Sequence, residues 1–328
     1  MENPLLELNW ECQREPLIQM PNEKMDWAFC ILKDDDGYYL YYVKPYARFG
    51  RKVYRMRSSD GITGWKDSPD DKAVLKGESG TRYEMGVTCP TVWKEGDLYH
   101  MIFSGLDKDN KWRAFYAKSK DGASDWSVQN NDRPIIDTGG LCRWDHNSAE
   151  PTGVIKVGNR YYCWYNNIDC NGAKSRQMGL ATTSNLQVEW EKDTKNPIFK
   201  DGRFCPSPIK YGGKYYLFVC HFDGSTRKSE IELYSCDNPM FHPDDPTRTP
   251  PRVIKRRDER SSWEANVLDP VYVLTDNINR DTLLASDGQL WMYYGANTDY
   301  PSVQESKERG IGLCIAHMQE RALQVKTR

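Results

Sequence analysis

The sequence contains no apolar run approaching the ~18 residues of a membrane-spanning helix. Its opening, Met1 to Trp10, carries Glu2 and Glu7 where a secretory leader would have a basic start and an apolar stretch. A soluble, cytoplasmic protein is expected, a mature secreted form being the alternative. Charge of one sign is also missing. The 45 basic and 47 acidic residues are spread along the whole length and leave a net charge of -2. No broad field therefore recruits nucleic acid or an anionic membrane, and neither is expected as a partner. Clustered cysteines are absent as well. Ten cysteines stand singly, among them Cys12, Cys30, Cys89, Cys142, Cys163, Cys205 and Cys314, without a Cys-x-x-Cys pair or a His at zinc spacing. They read as buried thiols acting as small hydrophobes, so no metal site is expected and no cofactor is required.

What the sequence does have is aromatic residues, with 11 Trp and 20 Tyr, and a phrase that recurs five times. The phrase is a polar turn with Gly followed by an aromatic or apolar strand opening. It occurs at Asp36-Gly37-Tyr38-Tyr39, Gly96-Asp97-Leu98-Tyr99, Gly158-Asn159-Arg160-Tyr161-Tyr162, Gly213-Lys214-Tyr215-Tyr216 and Asp287-Gly288-Gln289-Leu290-Trp291. Its first apolar residues fall at 38, 98, 161, 215 and 290, giving steps of 60, 63, 54 and 75. Such spacing predicts an all-β chain folded as a five-bladed β-propeller, with four-stranded antiparallel blades around a central channel.

In four copies a proline opens the strand before the turn: Pro90, Pro151, Pro206 and Pro270. Proline suits a strand's first residue, where no ladder hydrogen bond is needed. Third strands follow at 52–58, 112–119, 177–183, 230–235 and 310–317. Short fourth strands are expected around Ala73-Val74-Leu75, Pro134-Ile135-Ile136, Pro197-Ile198-Phe199 and Arg252-Val253-Ile254. The chain reads as one domain over 1–328, with blades at about 26–80, 85–139, 146–200, 203–256 and 264–318. The fifth blade lacks a fourth strand of its own. A strand near 16–19 is expected to supply it and close the ring, with Ala322 to Val325 as the competing segment.

Inner strands of a propeller converge on one end of the axis, so the residues before the prolines should meet there. They are Asp26 before Trp27, Thr88-Cys89, Glu150, Phe204-Cys205 and Asp269. Three acids placed close together raise at least one proton affinity and separate an acid from a base. Glycoside hydrolysis requires that arrangement. Two matching lead-ins add Glu84 and Glu264, each six residues before its proline, as acids that could reach over the pocket. Around them, Arg48, Tyr46, Asn166, His221 and Asn297 lie on loops joining second to third strands, and Arg203 lies beside the fourth axial position. These side chains suit hydroxyl recognition, while Trp27 and Tyr46 could stack on a sugar face.

The blade phrase, Pro-x-Val followed by Gly and a Tyr-Tyr or Tyr-Trp strand, resembles that of the five-bladed glycoside hydrolase propellers, which include families 43, 32, 62, 68, 117 and 130. The resemblance runs from Asp26 to His317. It implies Asp26 as base or nucleophile, although Trp27 replaces the usual proline, and Glu150 as the carboxylate that orients substrate. It places the general acid in blade four, where this sequence has Phe204, which cannot donate a proton. The donor then falls to Glu84, Glu264 or Asp269. The activity implied is hydrolysis of a furanoside or small glycoside. A non-catalytic carbohydrate-binding propeller is one alternative, and a phosphorylase, with Arg48, Lys44, Arg143, Arg203 or His221 gathering phosphate, is the other. Related propellers sometimes hold a structural calcium or sodium ion in the channel, though no ligand spacing here demands one.

Overall fold

The computed structural model describes residues 3–21, 28–45, 48–67, 72–167, 176–226, 228–257, 263–264, 267–275, 278–281, 288–297 and 308–318. Among them there is no α-helix, and 22 strands make five antiparallel sheets. Two N-terminal strands, β1 (Trp10–Cys12) and β2 (Ile18–Pro21), precede blade one. That blade contains β3 (Phe29–Asp34), β4 (Gly37–Lys44), β5 (Lys52–Ser58), β6 (Lys66–Asp67) and β7 (Leu75–Lys76). Blade two is β8 (Gly86–Glu95), β9 (Leu98–Leu106), β10 (Trp112–Ser119) and β11 (Ser127–Val128). Blade three is β12 (Glu150–Val157), β13 (Arg160–Asn167), β14 (Gln177–Thr183) and β15 (Glu191–Lys192). Blade four is β16 (Arg203–Tyr211), β17 (Lys214–Asp223), β18 (Lys228–Cys236) and β19 (Arg252–Arg256). Blade five has β20 (Val267–Val273), β21 (Gln289–Asn297) and β22 (Glu308–His317).

The propeller architecture is as the repeat predicts, with two corrections of detail. In blades one to three the fourth strand is broken in two. β6, β11 and β15 pair with the far end of the third strand, whereas the predicted segments touch only its near end. There Leu75 pairs with Val53, Ile136 bridges Ala114 and Phe199 bridges Met178. An insertion separates the two pieces. The second correction concerns the prolines. Strands β8, β16 and β20 begin three or four residues earlier, at Gly86, Arg203 and Val267, and each proline sits inside a register shift. A bulge releases the ladder N–H that proline lacks, so the residue is tolerated within a strand.

Each blade face is buried against the next, which is why the strands read as dense apolar runs. Between blades two and three, for example, Trp93, Ile102 and Tyr116 pack with Val154, Tyr161 and Cys163. The recurring phrase also carries a polar clamp. Lys94 binds Asp34 of the preceding blade at 2.8 Å, and Tyr99 donates to the same carboxylate. One blade on, Lys156 and Tyr161 hold Glu95 in the same way. A second clamp joins middle strands to the following turn: Tyr41 donates to Gly122 O at 2.7 Å, and Tyr293 of blade five donates to Gly61 O of blade one at 3.0 Å. Together with stacking of Trp291 on Tyr38, this last contact makes the assembly a ring.

β22 receives two partners, β2 at Ile311 to Glu308 and β1 at Ala316 to Cys314. Ala322 to Val325 lies outside the described residues. Cys12 and Cys314 are direct cross-strand neighbours and form a disulfide across a sequence separation of 302. The expectation of unpaired thiols fails for this pair because register, not sequence spacing, brings the sulfurs together. Cys30, Cys163, Cys205, Cys220 and Cys236 are buried free thiols.

Under the ring, the connection after β20 turns back across the axis. Ile278 O accepts from Lys156 N of blade three, and Arg280 O accepts from Lys210 N of blade four. The Arg280 guanidinium donates to Pro208 O at 2.6 Å, Val273 O at 2.5 Å, Ser207 Oγ and Tyr272 Oη. Beside it lies a void of about 10 Å³, lined by Leu32, Thr91, Val154 and Tyr272. The lower end of the axis is thus filled.

Replacing Cys314 by Ser should lower the melting temperature, with about 2–4 kcal/mol of stability lost. Reductant should move the wild-type unfolding curve onto that of Cys314→Ser and leave the variant's own curve in place. Identical curves for the two proteins without reductant would show that the sulfurs are not joined.

Candidate functional site

At the upper end the inner strands enter with their bulges, and contacts pass from blade to blade around the axis. Cys89 (φ 50°) and Cys205 (φ 48°) occupy the left-handed region just before Pro90 and Pro206. Non-glycine residues rarely adopt this conformation, which turns each thiol out of the alternating strand pattern. The Cys89 thiol donates to Glu150 Oε2 at 3.4 Å, and Ser148 Oγ lies 3.1 Å from Glu150 Oε1. Asn166, fully buried, accepts from Cys205 N at 3.4 Å and points its amide nitrogen at Cys205 Sγ, 3.6 Å away. Cys205 in turn hydrogen-bonds Asp269, and burial and the Asp269 charge together push the thiol well above its ordinary pKa. Cys205 therefore stays neutral. The two axial carboxylates, Glu150 at 5% exposure and Asp269 at 6%, are linked through Ser148, Asn166 and Cys205.

Phe204, at the place where the resemblance expects a proton donor, is fully buried and carries the Arg176 guanidinium over its ring at 4.1 Å. Arg176 reaches from blade three to Asp269 of blade five, where Nη1 stands 3.6 Å from Oδ2. Nothing in the repeat marked this residue. It precedes β14 outside the recurring phrase, and its position follows from the backbone bond of Gly202 N to Arg176 O.

Arg203 and His221 are cross-strand partners and meet on a carboxylate that sequence reasoning also missed. Glu232 accepts from Arg203 Nε at 2.8 Å and Nη2 at 3.1 Å, from His221 Nδ1 at 3.0 Å, and from Tyr234 Oη at 2.8 Å. Burial opposes its ionisation, but His221 and Arg203 outweigh it and hold the Glu232 carboxyl down to about 2. The signal was the alternation Glu230-Ile231-Glu232 in a strand buried on both faces, since an interior charge demands a partner. Among the described residues, His221, Glu230 and Glu232 alone are spaced like metal ligands, their donor atoms lying within 4.8 Å of one another. Arg203 on Glu232 and Arg256 on Glu230, at 2.7 Å, already supply positive charge there.

The remaining predicted residues are scattered. Glu84 accepts from Gly80 N at 3.1 Å and pairs with Lys108 at 3.0 Å; both hold its pKa below the usual range. Glu264 is buried beside Lys255, at 3.1 Å, and accepts from Tyr294 between blades four and five. The structure does not bring either into the axial chain, because each finds a cation nearer to its own backbone. Arg48 is bound to Asn110, with Nε 2.6 Å from Oδ1, tying the loops of blades one and two. Asn297 ends β21 opposite Val267. Asp26, Trp27 and Tyr46 lie outside the described residues.

No family model matches the sequence, and no curated protein does. Solved structures do match over nearly the whole chain. The chain is similar to a structure titled glycoside hydrolase (13% identity, TM-score 0.71, covering 96% of this chain and 95% of that one). It is similar to a family 117 glycoside hydrolase of the marine bacterium Zobellia galactanivorans (10%, 0.68, 97% and 93%). It is also similar to the catalytic domain of the Coprinopsis cinerea GH62 α-L-arabinofuranosidase (12%, 0.62, 95% and 98%). At these identities the likeness is one of fold: five-bladed propellers.

Glu232 has a folded-state pKa below its ordinary 4.5, so its contribution to stability is fully present above that value and is lost as pH falls through about 2. The stability difference between wild type and Glu232→Gln, measured by denaturant unfolding, should hold steady at neutral pH and shrink across that acid window. A difference independent of pH would show that the carboxyl is not held ionised.

Proposed function

We propose that this protein is a glycoside hydrolase acting on a furanoside or small glycoside at the upper end of the axis. Glu150 and Asp269 are its axial carboxylates, and Asp26, the acid that opens blade one in sequence, is its base or nucleophile. One observation carries the reading: buried acids from blades three and five belong to a single chain of polar contacts, from Glu150 through Ser148, Asn166 and Cys205 to Asp269. Hydrolysis of a glycosidic bond needs one carboxyl to protonate the leaving oxygen and another to activate water or attack the anomeric carbon. Burial and mutual repulsion separate the proton affinities of such groups.

The filled lower end of the axis supports a pocket open on one side, which suits a terminal or small sugar better than a long chain threaded through. Glu84 is withdrawn as a donor because the Gly80 N–H and Lys108 hold its pKa low, and Glu264 because Lys255 and Tyr294 engage it between blades four and five. The donor is then an axial carboxyl. Names of the similar solved structures, one of them an arabinofuranosidase, support the same chemistry. Phe204, carrying Arg176 instead of a proton, favours a second reading, a carbohydrate-binding propeller without turnover. Phosphate transfer gains nothing from the geometry, since Arg48 is engaged by Asn110 and Arg203 by Glu232. A disulfide between the chain's two ends fits an oxidising compartment, and secretion is proposed in place of the cytoplasm.

Wild type should hydrolyse at least one member of a panel of 4-nitrophenyl furanosides and pyranosides. Glu150→Gln and Asp269→Asn should each lower turnover by roughly 10²–10⁴-fold with the far-ultraviolet dichroism unchanged, while Glu84→Gln keeps wild-type rates. Binding without turnover across the panel would establish the second reading. Full activity in both axial variants would remove the assignment.

A further inference from the structure

Arg176 carries an inference beyond the reaction itself. Its Nη1 is buried and makes no hydrogen bond among the described residues, and it stands 3.6 Å from Asp269 Oδ2. That separation is an ion pair but exceeds the 2.7–3.2 Å of an N–H···O bond. A buried guanidinium N–H without an acceptor is costly, and an oxygen supplied from outside would satisfy it. The guanidinium is also held in place before any ligand arrives. It lies over the Phe204 ring at 4.1 Å, and its own backbone carbonyl accepts from Gly202 N at 3.1 Å. Little side-chain ordering remains to be lost on binding.

We propose that Arg176 and Asp269 form a hydroxyl-reading pair that selects a neutral sugar carrying adjacent hydroxyl groups. One hydroxyl oxygen accepts from Arg176 Nη1 and its neighbour donates to the Asp269 carboxylate, both through charge-assisted hydrogen bonds. The two charges offset each other, and the other acid of the ring, Glu150, disfavours a second anion. An acidic sugar is therefore rejected. A site built around hydroxyl partners discriminates strongly against ligands that leave those partners unmet. The pair also accounts for Phe204: a flat apolar ring at this blade position supports the arginine that reads the substrate. The inference deepens the proposed glycosidase reading and concerns binding, so it can be tested apart from turnover.

The test is calorimetric titration of the full-length protein with D-xylose, L-arabinose, D-galactose and D-galacturonate, using wild type, Arg176→Met and Arg176→Lys. Methionine keeps a flexible side chain against Phe204 and removes the charged fork. At least one neutral sugar should bind wild type. Its affinity should fall roughly 10- to 100-fold in Arg176→Met and recover only partly in Arg176→Lys, which lacks the fork geometry. D-Galacturonate should bind no better than D-galactose. Equal affinities for wild type and Arg176→Met would overturn the proposal, as would failure of every neutral sugar to bind wild type. A preference for D-galacturonate that depends on Arg176 would overturn it too, making the arginine an anion reader. Aryl glycoside hydrolysis by the same proteins separates the two claims. Turnover with Arg176-independent binding keeps the hydrolase and discards the pair, whereas Arg176-dependent binding without turnover does the reverse.

Discussion

Strand β22 would present an open row of N–H and C=O groups along its outer edge if β1 and β2 did not pair with it. The placement of the inner strands depends on that pairing, because it completes the sheet that closes the ring. Blade five reaches blade one through Tyr293 on Gly61 and Trp291 on Tyr38, and those contacts hold only if the last blade is complete. The chain's first strands thus finish a sheet that begins only at Val267. The disulfide between Cys12 and Cys314 makes the same connection covalent.

From that closure the axial site follows with few further assumptions. Inner strands of blades two to five bring Cys89, Glu150, Cys205 and Asp269 to the same end of the axis. Bulges there turn Cys89, Cys205 and Asp269 out of the pleat, while Glu150 stays paired with Asn166 just before the shift in blade three, and the contacts of Cys89 with Glu150 and of Cys205 with Asp269 cross blade boundaries. The polar clamps on the outer parts of the blades, Lys94 with Asp34 and Lys156 with Glu95, fix the angle between neighbours and so the spacing of the acids. Beneath it, Arg280 is bound to the inner strands of blades four and five.

Much of this was legible in the residues because it repeats. A Gly turn before an aromatic strand reveals a blade, and the residue before each proline reveals an axial position; Glu150 and Asp269 were nominated on that ground alone. What did not repeat was hidden. Arg176 belongs to no recurring phrase, and its proximity to Asp269 depends on its contacts with Gly202 and Phe204 of blade four. Cys12 and Cys314 show no spacing signal because their pairing is a matter of strand register at opposite ends of the chain. Glu84 and Glu264 misled for the converse reason. Their lead-ins match in sequence, but a charge is placed by its nearest countercharge, and Lys108 and Lys255 draw them elsewhere.

The bulge at the entrance of blades two, four and five separates two demands that a strand usually makes of one residue. In a regular ladder, a substitution must suit both the pairing and the face it projects from; here the axial residue lies at a register break and carries little of the sheet's cohesion. These entrances therefore behave as interchangeable sockets around a common hub. A thiol in one, a carboxylate in another and an aromatic ring beside a third can be exchanged over evolutionary time without rebuilding the blades. One ring can thereby diversify its chemistry while its scaffold stands still.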